Sequence, residues 1–411
     1  MLALARIRSA APPSAVTAGL IAVMVGVTSS AALVFTAAKA AGADERALSS
    51  WMLALGIGLA CTSIGLSLRF RAPVVTAWST PGAALLTTGL SGVSMPQAIG
   101  AFVFSGLLIL VSGVTGWFSR LMSRIPVPLA AALLAGVLFR FGTGLFSTMH
   151  GSFAVAFPMF VAYLLARRLL PRYAVLVALA AGVAATVFTG GWKLGTVRLA
   201  LATPVFTAPE FDWKVLVSVG APLFVVTMAS QNLPGVAVLR GSGYDVPVSP
   251  LMTWTGAANV VLAPFGAFGL NLAAITAAIC TGEEAHPDRE RRFLAAVWAG
   301  VFYLCVGLLG ATVASLLAAM PHELVLAIAG IGLLATIEAS LVSALSDPAS
   351  REAAVVTFLA TASGVTLLGI GSAFWGLLAG LVTTAVATAG HPRRTGRTTT
   401  PDPVPDKAPA R

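Results

Sequence analysis

Charge is what this chain has least of. Of its 411 residues only 10% are Asp, Glu, Lys or Arg, while 57% are hydrophobic. So few charges cannot cover the surface of a soluble protein of this length. Side-chain amides are scarcer still: three Asn (Asn232, Asn259, Asn271) and two Gln (Gln97, Gln231). The three cysteines, Cys61, Cys280 and Cys305, stand apart in apolar stretches without a C-x-x-C. They read as packing residues, not as a disulfide framework or metal ligands. The sequence contains no G-x-x-x-x-G-K-[ST], H-E-x-x-H or G-x-S-x-G. Nucleotide-driven pumping, zinc hydrolysis and serine-nucleophile chemistry therefore have no motif to stand on, and neither an enzyme nor a cofactor is expected. The net charge is +10, but Lys and Arg sit in small groups between apolar runs. That pattern argues against a nucleic-acid surface.

What the chain does have is uncharged length. Runs at 9–38, 47–68, 72–119, 246–282 and 353–392 each reach the ~20 apolar residues that cross a bilayer. Arg6 and Arg8 precede a full-length span without an A-x-A site, so no cleaved leader is expected. Cutting at charges, Pro and Gly gives fourteen segments: 15–38, 48–68, 72–91, 96–118, 126–146, 151–170, 173–190, 213–239, 249–263, 264–281, 292–319, 322–345, 351–370 and 372–390. The expected fold is an all-α polytopic membrane protein of fourteen transmembrane segments. With both termini in the cytoplasm, 19 of the 25 basic residues fall in inside loops, as the positive-inside rule requires. The widest outside loop, 191–212, divides the spans seven and seven. An odd number per half makes the second half enter from the opposite side, which is an inverted repeat. The domain reading is a cytoplasmic stretch 1–14, a first repeat 15–190, a linker 191–212, a second repeat 213–390 and a Pro-rich tail 391–411 expected to be disordered.

The third and tenth segments are poorly built for continuous helices. The third reads APVVTAWSTPGAALL from Ala72; the tenth follows Ala263 as PFGAFGLNLAAITAAIC. Each opens on Ala-Pro, passes through poor helix formers, and reaches a candidate N-cap: Ser79 or Thr80 in one, Asn271 in the other. The expectation is a short strand and a half-helix in each. Extended backbone at membrane depth persists only if its N–H and C=O groups find partners, so the two strands should pair with each other. Half-helix N-termini near the midplane would offer free N–H groups to an anion. The plain alternative is a pair of Pro/Gly kinks that serve helix packing.

Polar side chains gather nearby. Four of the five amides lie between 231 and 271, which suggests a lined cavity, the alternative being interhelical glue. Glu338 is the one carboxylate deep in an apolar segment; it is a proton-coupling candidate, or it faces a wet vestibule or a polar neighbour. Arg140 reads as lying near a segment end, where its side chain snorkels. Glu283, Glu284, His286 and Asp288 read as solvated loop charge.

Three stretches carry a family resemblance: APVVTAWSTPGAALL, TMASQNLPGVAVLRGSGY and FGAFGLNLAAITAAICTGEEAHPDRERR. They resemble the benzoate membrane transporter family, the benzoate:proton symporters, over roughly 10–390, and in fold the nucleobase transporters. The resemblance implies a core of spans 1–4 and 8–11, a gate of spans 5–7 and 12–14, and elevator-type movement of one against the other. It implies a bacterial inner-membrane protein importing an aromatic carboxylate with a proton, with a homodimer as a further expectation. The implied binding residues are Ser79, Thr80, Gly82, Gln231, Asn232 and Asn271. Nucleobase transporters typically carry Glu on span eight and Glu before the Asn on span ten. Here those positions match Gln231 and Leu270, which suits a substrate that is itself an anion. An inorganic anion or nucleobase carrier on the same fold, or an anion channel, are the rival readings.

Overall fold

The structure is a computed structural model and describes residues 12–117, 126–189, 199–365, 367 and 372–389. The tail 391–411 and residues 1–11 of the expected cytoplasmic stretch lie outside the described residues. The first half forms α1 (Pro13–Ala40), α2 (Glu45–Phe70), β1 (Thr76–Trp78), α3 (Thr80–Gly89) and α4 (Met95–Val114). It continues with α5 (Val127–Gly151), α6 (Phe153–Leu169) and α7 (Ala174–Phe188). The second half forms α8 (Trp213–Arg240), α9 (Val248–Leu262), β2 (Leu270–Leu272), α10 (Ile275–Thr281) and α11 (Phe293–Leu308). Four more helices complete it: α12 (Gly310–Ala319), α13 (His322–Leu345), α14 (Arg351–Ala362) and α15 (Ser372–Ala389).

Among the described residues six helices are long and apolar enough to cross a membrane, and α1, bent by 43°, makes a seventh. Their starts obey local chemistry. Asp44 accepts from the Ala47 N–H to cap α2, and Ser94 with Gln97 closes a capping box on α4. Val111, Phe153, Leu164 and Val386 are exposed on the outside of the helices, an apolar exterior suited to lipid. α8 is widened by two π turns, Leu216–Gly220 and Met228–Asn232, each of which rotates the face that the next turns of the helix present.

The packing repeats itself. Extensive contacts join α2 to α11, α4 to α9, α5 to α13, α6 to α7 and α14 to α15. Numbered by expected segment, the pair 2–11 becomes 9–4 when each index moves by seven, and 6–7 becomes 13–14. Small residues set the closeness: a Cβ added to Gly56 of α2 would lie 2.6 Å from the Gly307 Cα of α11, and one added to Gly256 of α9 would lie 2.4 Å from the Leu110 N of α4.

β1 and β2 form a two-stranded antiparallel sheet with Thr76 opposite Leu272, Ala77 opposite Asn271 and Trp78 opposite Leu270. Ala273 N–H extends the ladder by donating to Val75 O at 2.9 Å. The irregular stretch 199–212 straps the ends of several helices. Along it, Ala202 N–H donates to Leu308 O, Val205 N–H to Ser50 Oγ, Thr207 N–H to Pro264 O and Glu210 N–H to Pro96 O.

Candidate functional site

The sheet lies among helices, so its outer edges need partners that are not strands. Side chains supply them. On the β1 side, Thr76 N–H donates to Ser63 Oγ at 3.0 Å, and Thr76 Oγ1 shares hydrogen bonds with Thr62 and Ser63. Ser67 Oγ donates to Val74 O at 3.0 Å. On the β2 side, Asn259 Oδ1 accepts from Leu270 N–H at 2.9 Å while its Nδ2 donates to Leu270 O at 3.0 Å. Asn232 Oδ1 accepts from Leu272 N–H at 2.8 Å, and its Nδ2 meets the Met228 sulfur. Every one of these side chains is buried. A left-over N–H or C=O in such surroundings costs ~1–3 kcal/mol, so the hydroxyls and amides are what make extended backbone tolerable here.

The turn from β1 into α3 is the better-formed half-helix start. Ser79 is the N-cap; its Oγ accepts from Gly82 N–H at 3.0 Å, and Pro81 stands in the first turn. Gly82 has to be small. An added Cβ would lie 2.8 Å from Ser79 Oγ and 2.7 Å from a Leu223 methyl of α8. Thr80, the first helical residue, is half-buried.

The second half-helix departs from expectation. Asn271 does not cap α10: it is the middle residue of β2, and its Nδ2 donates back to Gly269 O at 2.6 Å. The reason is the ladder, which holds the chain extended through Ala273 and delays the helix until Ile275. The N-cap position then falls to Ala274, which has no side chain able to cap.

Thr227 opens the polar run TMASQNLPG but is not among the expected binding residues. Gly269, at φ +54°, turns the chain against Ser79 and Thr227; an added Cβ would lie 2.8 Å from Ser79 Cβ and 3.5 Å from Thr227 Oγ1. Ser79, Thr227, Asn232 and Asn271 are each fully buried. Among the described residues, Thr227 Oγ1, Asn271 Oδ1 and Thr276 Oγ1 have no hydrogen-bond partner. Gln231 is half-buried on the second π turn of α8, and its side chain makes no hydrogen bond to a described residue. Ser79, Gly82 and Asn271 thus meet Thr227 around one junction. Asn232 is joined to that junction through β2, with its amide already engaged.

Glu338 lies elsewhere. It is on α13, its side chain is 61% exposed, and its Oε2 accepts from Arg167 Nη2 of α6 at 2.6 Å. The reading that gave it a polar neighbour fits this placement. Beside the junction, Ser230 and Leu233 of α8, Leu134 of α5 and Ser340 of α13 line a crevice of about 200 Å³. Past α10 the chain is pinned. Arg292 donates to Thr281 O and His286 O, and Tyr244 Oη donates to Arg289 O at 2.8 Å. Burial raises the Tyr244 phenol above its ordinary pKa, which keeps it a donor. Among the described residues no group of three or more His, Cys, Asp or Glu could hold a metal ion, and the three cysteines are free.

The family profile described as Benzoate membrane transport protein matches residues 9–386. The chain is 47% identical over 369 residues to the Inner membrane protein YdcO of Escherichia coli strain K12, covering 90% of this chain and 94% of that one. It is 38% identical over 369 residues to the Benzoate membrane transport protein of Acinetobacter baylyi, with 90% and 94% covered. Among solved structures, SLC26A9 aligns with a TM-score of 0.60 at 13% identity, over 91% of this chain and 65% of that one. The transmembrane domain of a cyanobacterium bicarbonate transporter, BicA, aligns at 0.55 and 12% identity, over 92% and 97%. At such identities the structural likeness speaks for fold, that of a polytopic membrane protein.

Proposed function

The chain belongs to the benzoate membrane transport protein family, a family of membrane transporters and not enzymes, and on that premise we propose that it imports benzoate or a related aromatic carboxylate by proton symport. The observation that carries the reading is the junction at the start of α3. There an N-capped half-helix begins close to an unpartnered Thr227 hydroxyl, and Gln231, whose side chain makes no hydrogen bond to a described residue, follows four residues later on α8. Helix N–H groups and neutral donors without a nearby carboxylate suit a negatively charged substrate. Ser79, Thr80, Gly82, Gln231, Asn232 and Asn271 remain the proposed binding residues. Ser79 and Gly82 shape the turn, Thr80 and Gln231 donate to the carboxylate, and Asn232 and Asn271 hold β2 in place.

The movement we assign is elevator-type, with α1–α4 and α8–α12 as core and α5–α7 and α13–α15 as gate. The exchange of packing pairs under a shift of seven supports fourteen spans in two inverted repeats. The charge bias supports cytoplasmic termini in a bacterial inner membrane, and a homodimer is part of the same proposal. An inorganic anion carrier is the second reading, favoured by likeness in fold to proteins described as an anion transporter and a bicarbonate transporter.

Vesicles holding the purified protein, with the outside made acidic, test this. Labelled benzoate is expected to accumulate above equilibrium and to be displaced by other aromatic acids. Equilibration without accumulation points to a channel, and uptake of bicarbonate with no benzoate uptake points to the second reading. Gln231→Glu, which sets a carboxylate against the substrate's own, is expected to lower benzoate uptake at least ~10-fold with normal membrane insertion. Unchanged kinetics in that variant remove Gln231 from the site.

A further inference from the structure

Arg140 is the only Asp, Glu, Lys or Arg between Arg124 and Arg167. The helix around it runs further than the sequence suggests. Arg140 is near the middle of the 25-residue α5, ~16 Å from its nearer end. Its guanidinium reaches one backbone carbonyl among the described residues, with Nη2 donating to Ser363 O at 3.3 Å. No carboxylate pairs with it among the described residues.

Arg140 opens onto a cavity of about 90 Å³ that also takes in Thr88 of α3, Ser218 of α8, Thr361 of α14 and Ser372 of α15. The walls thus come from both helix groups assigned above. Thr361 is 4% exposed, and its Oγ1 has no hydrogen-bond partner among the described residues. Ser218 makes no side-chain hydrogen bond to a described residue either. Arg140 is exposed at this opening, not sealed in the bundle, and a cation without a counter-charge on a membrane-spanning helix is costly unless water or an anion meets it. Here it opens onto a pocket where the Ser218 and Thr361 hydroxyls have no partner among the described residues, while Thr88 Oγ1 donates to Leu85 O and Ser372 Oγ to Thr361 O. The pocket is at the end of α3 opposite Ser79: Thr88 is eight residues beyond Thr80, ~12 Å along the helix.

We infer that this crevice is a second, outer station for the transported anion. Arg140 holds the carboxylate with help from the Ser218 and Thr361 hydroxyls before the substrate passes along α3 to the half-helix start. The inference rests on the proposed function for its ligand, a small carboxylate with an apolar body. A charge placed there acts mainly on capture, raising the rate at which dilute anions enter.

The test compares the unaltered protein with Arg140→Lys and Arg140→Gln in vesicles. In parallel, Ser218→Cys is labelled by a membrane-impermeant maleimide, with the chain lacking that substitution as background. Arg140→Gln is expected to raise the KM for benzoate ~10-fold or more, leave saturated uptake within ~2-fold and flatten the ionic-strength dependence, with Arg140→Lys restoring most of the loss. Benzoate is expected to slow labelling of Ser218→Cys, and not to do so when Arg140→Gln is added. An unchanged KM, or equal protection with and without Arg140→Gln, overturns the station. Arg140-dependent protection without benzoate uptake upholds the station and instead sinks the transport reading. Should Arg140→Gln fail to insert, Thr361→Val carries the test: weaker protection supports the station, and undiminished protection overturns it.

Discussion

Asn259 turns both ends of its amide to Leu270, and its Nδ2 also donates to Thr255 O. Asn259→Leu keeps the bulk and removes both bonds to Leu270, so one N–H and one C=O are stranded in an apolar interior. The expected loss is ~2–4 kcal/mol, seen as a lower unfolding temperature in detergent. A melting curve that does not move would mean that Leu270 finds other partners. The clustering of amides was plain in the sequence, but their task was not. Composition shows that an amide is buried; it does not show which backbone it faces. Ser79 was readable as a cap because Ser-Thr-Pro-Gly suits few other structures. Asn271 was misread because Asn serves caps and extended turns alike, and what settled it was a distant partner, Val75 through Ala273. Thr227 opens the polar run TMASQNLPG, but nothing in that run told it from a Thr that bonds its own helix.

Broken elements were readable where two cues coincided, Pro-Gly chemistry and matched position in the two halves. The start of α10 was not, because Ala273 and Ala274 announce nothing. Nor were the π turns of α8, which depend on tertiary packing. The eleventh expected segment, 292–319, proved to be two helices parted at Leu309. At this scale glycine decides how near two helices come. Gly56→Ala sets a Cβ 2.6 Å from the Gly307 Cα and 2.7 Å from Tyr303 O, backbone atoms that cannot step aside. We expect a loss of ~1–3 kcal/mol in thermal unfolding. Gly65→Ala on the same helix meets nothing within 4 Å and is expected to be neutral. Equal effects at the two positions would deny close packing between α2 and α11.

For the whole molecule the proposed movement of α8 against α13 is open to a direct test. Ser230 and Ser340 face the same crevice. Joining Ser230→Cys to Ser340→Cys with a short bifunctional reagent is expected to cut uptake at least ~10-fold, with recovery on cleavage of the linker. Full uptake while cross-linked would mean that these helices do not part. Proton coupling is tested at Glu338. Glu338→Gln is expected to keep benzoate exchange and lose accumulation under the acid-outside gradient; accumulation that survives assigns the pair with Arg167 to fastening α6 against α13. The strap of residues 199–212 belongs to this scale too. Its hydrogen bonds reach α2, the start of α4, the turn after α9 and the end of α11, elements all on one side of the proposed sliding boundary. It therefore travels as a passenger with that group. A fluorescent dye on Leu201, 68% exposed, becomes a depth gauge whose quenching by headgroup-attached probes rises and falls with each transport cycle.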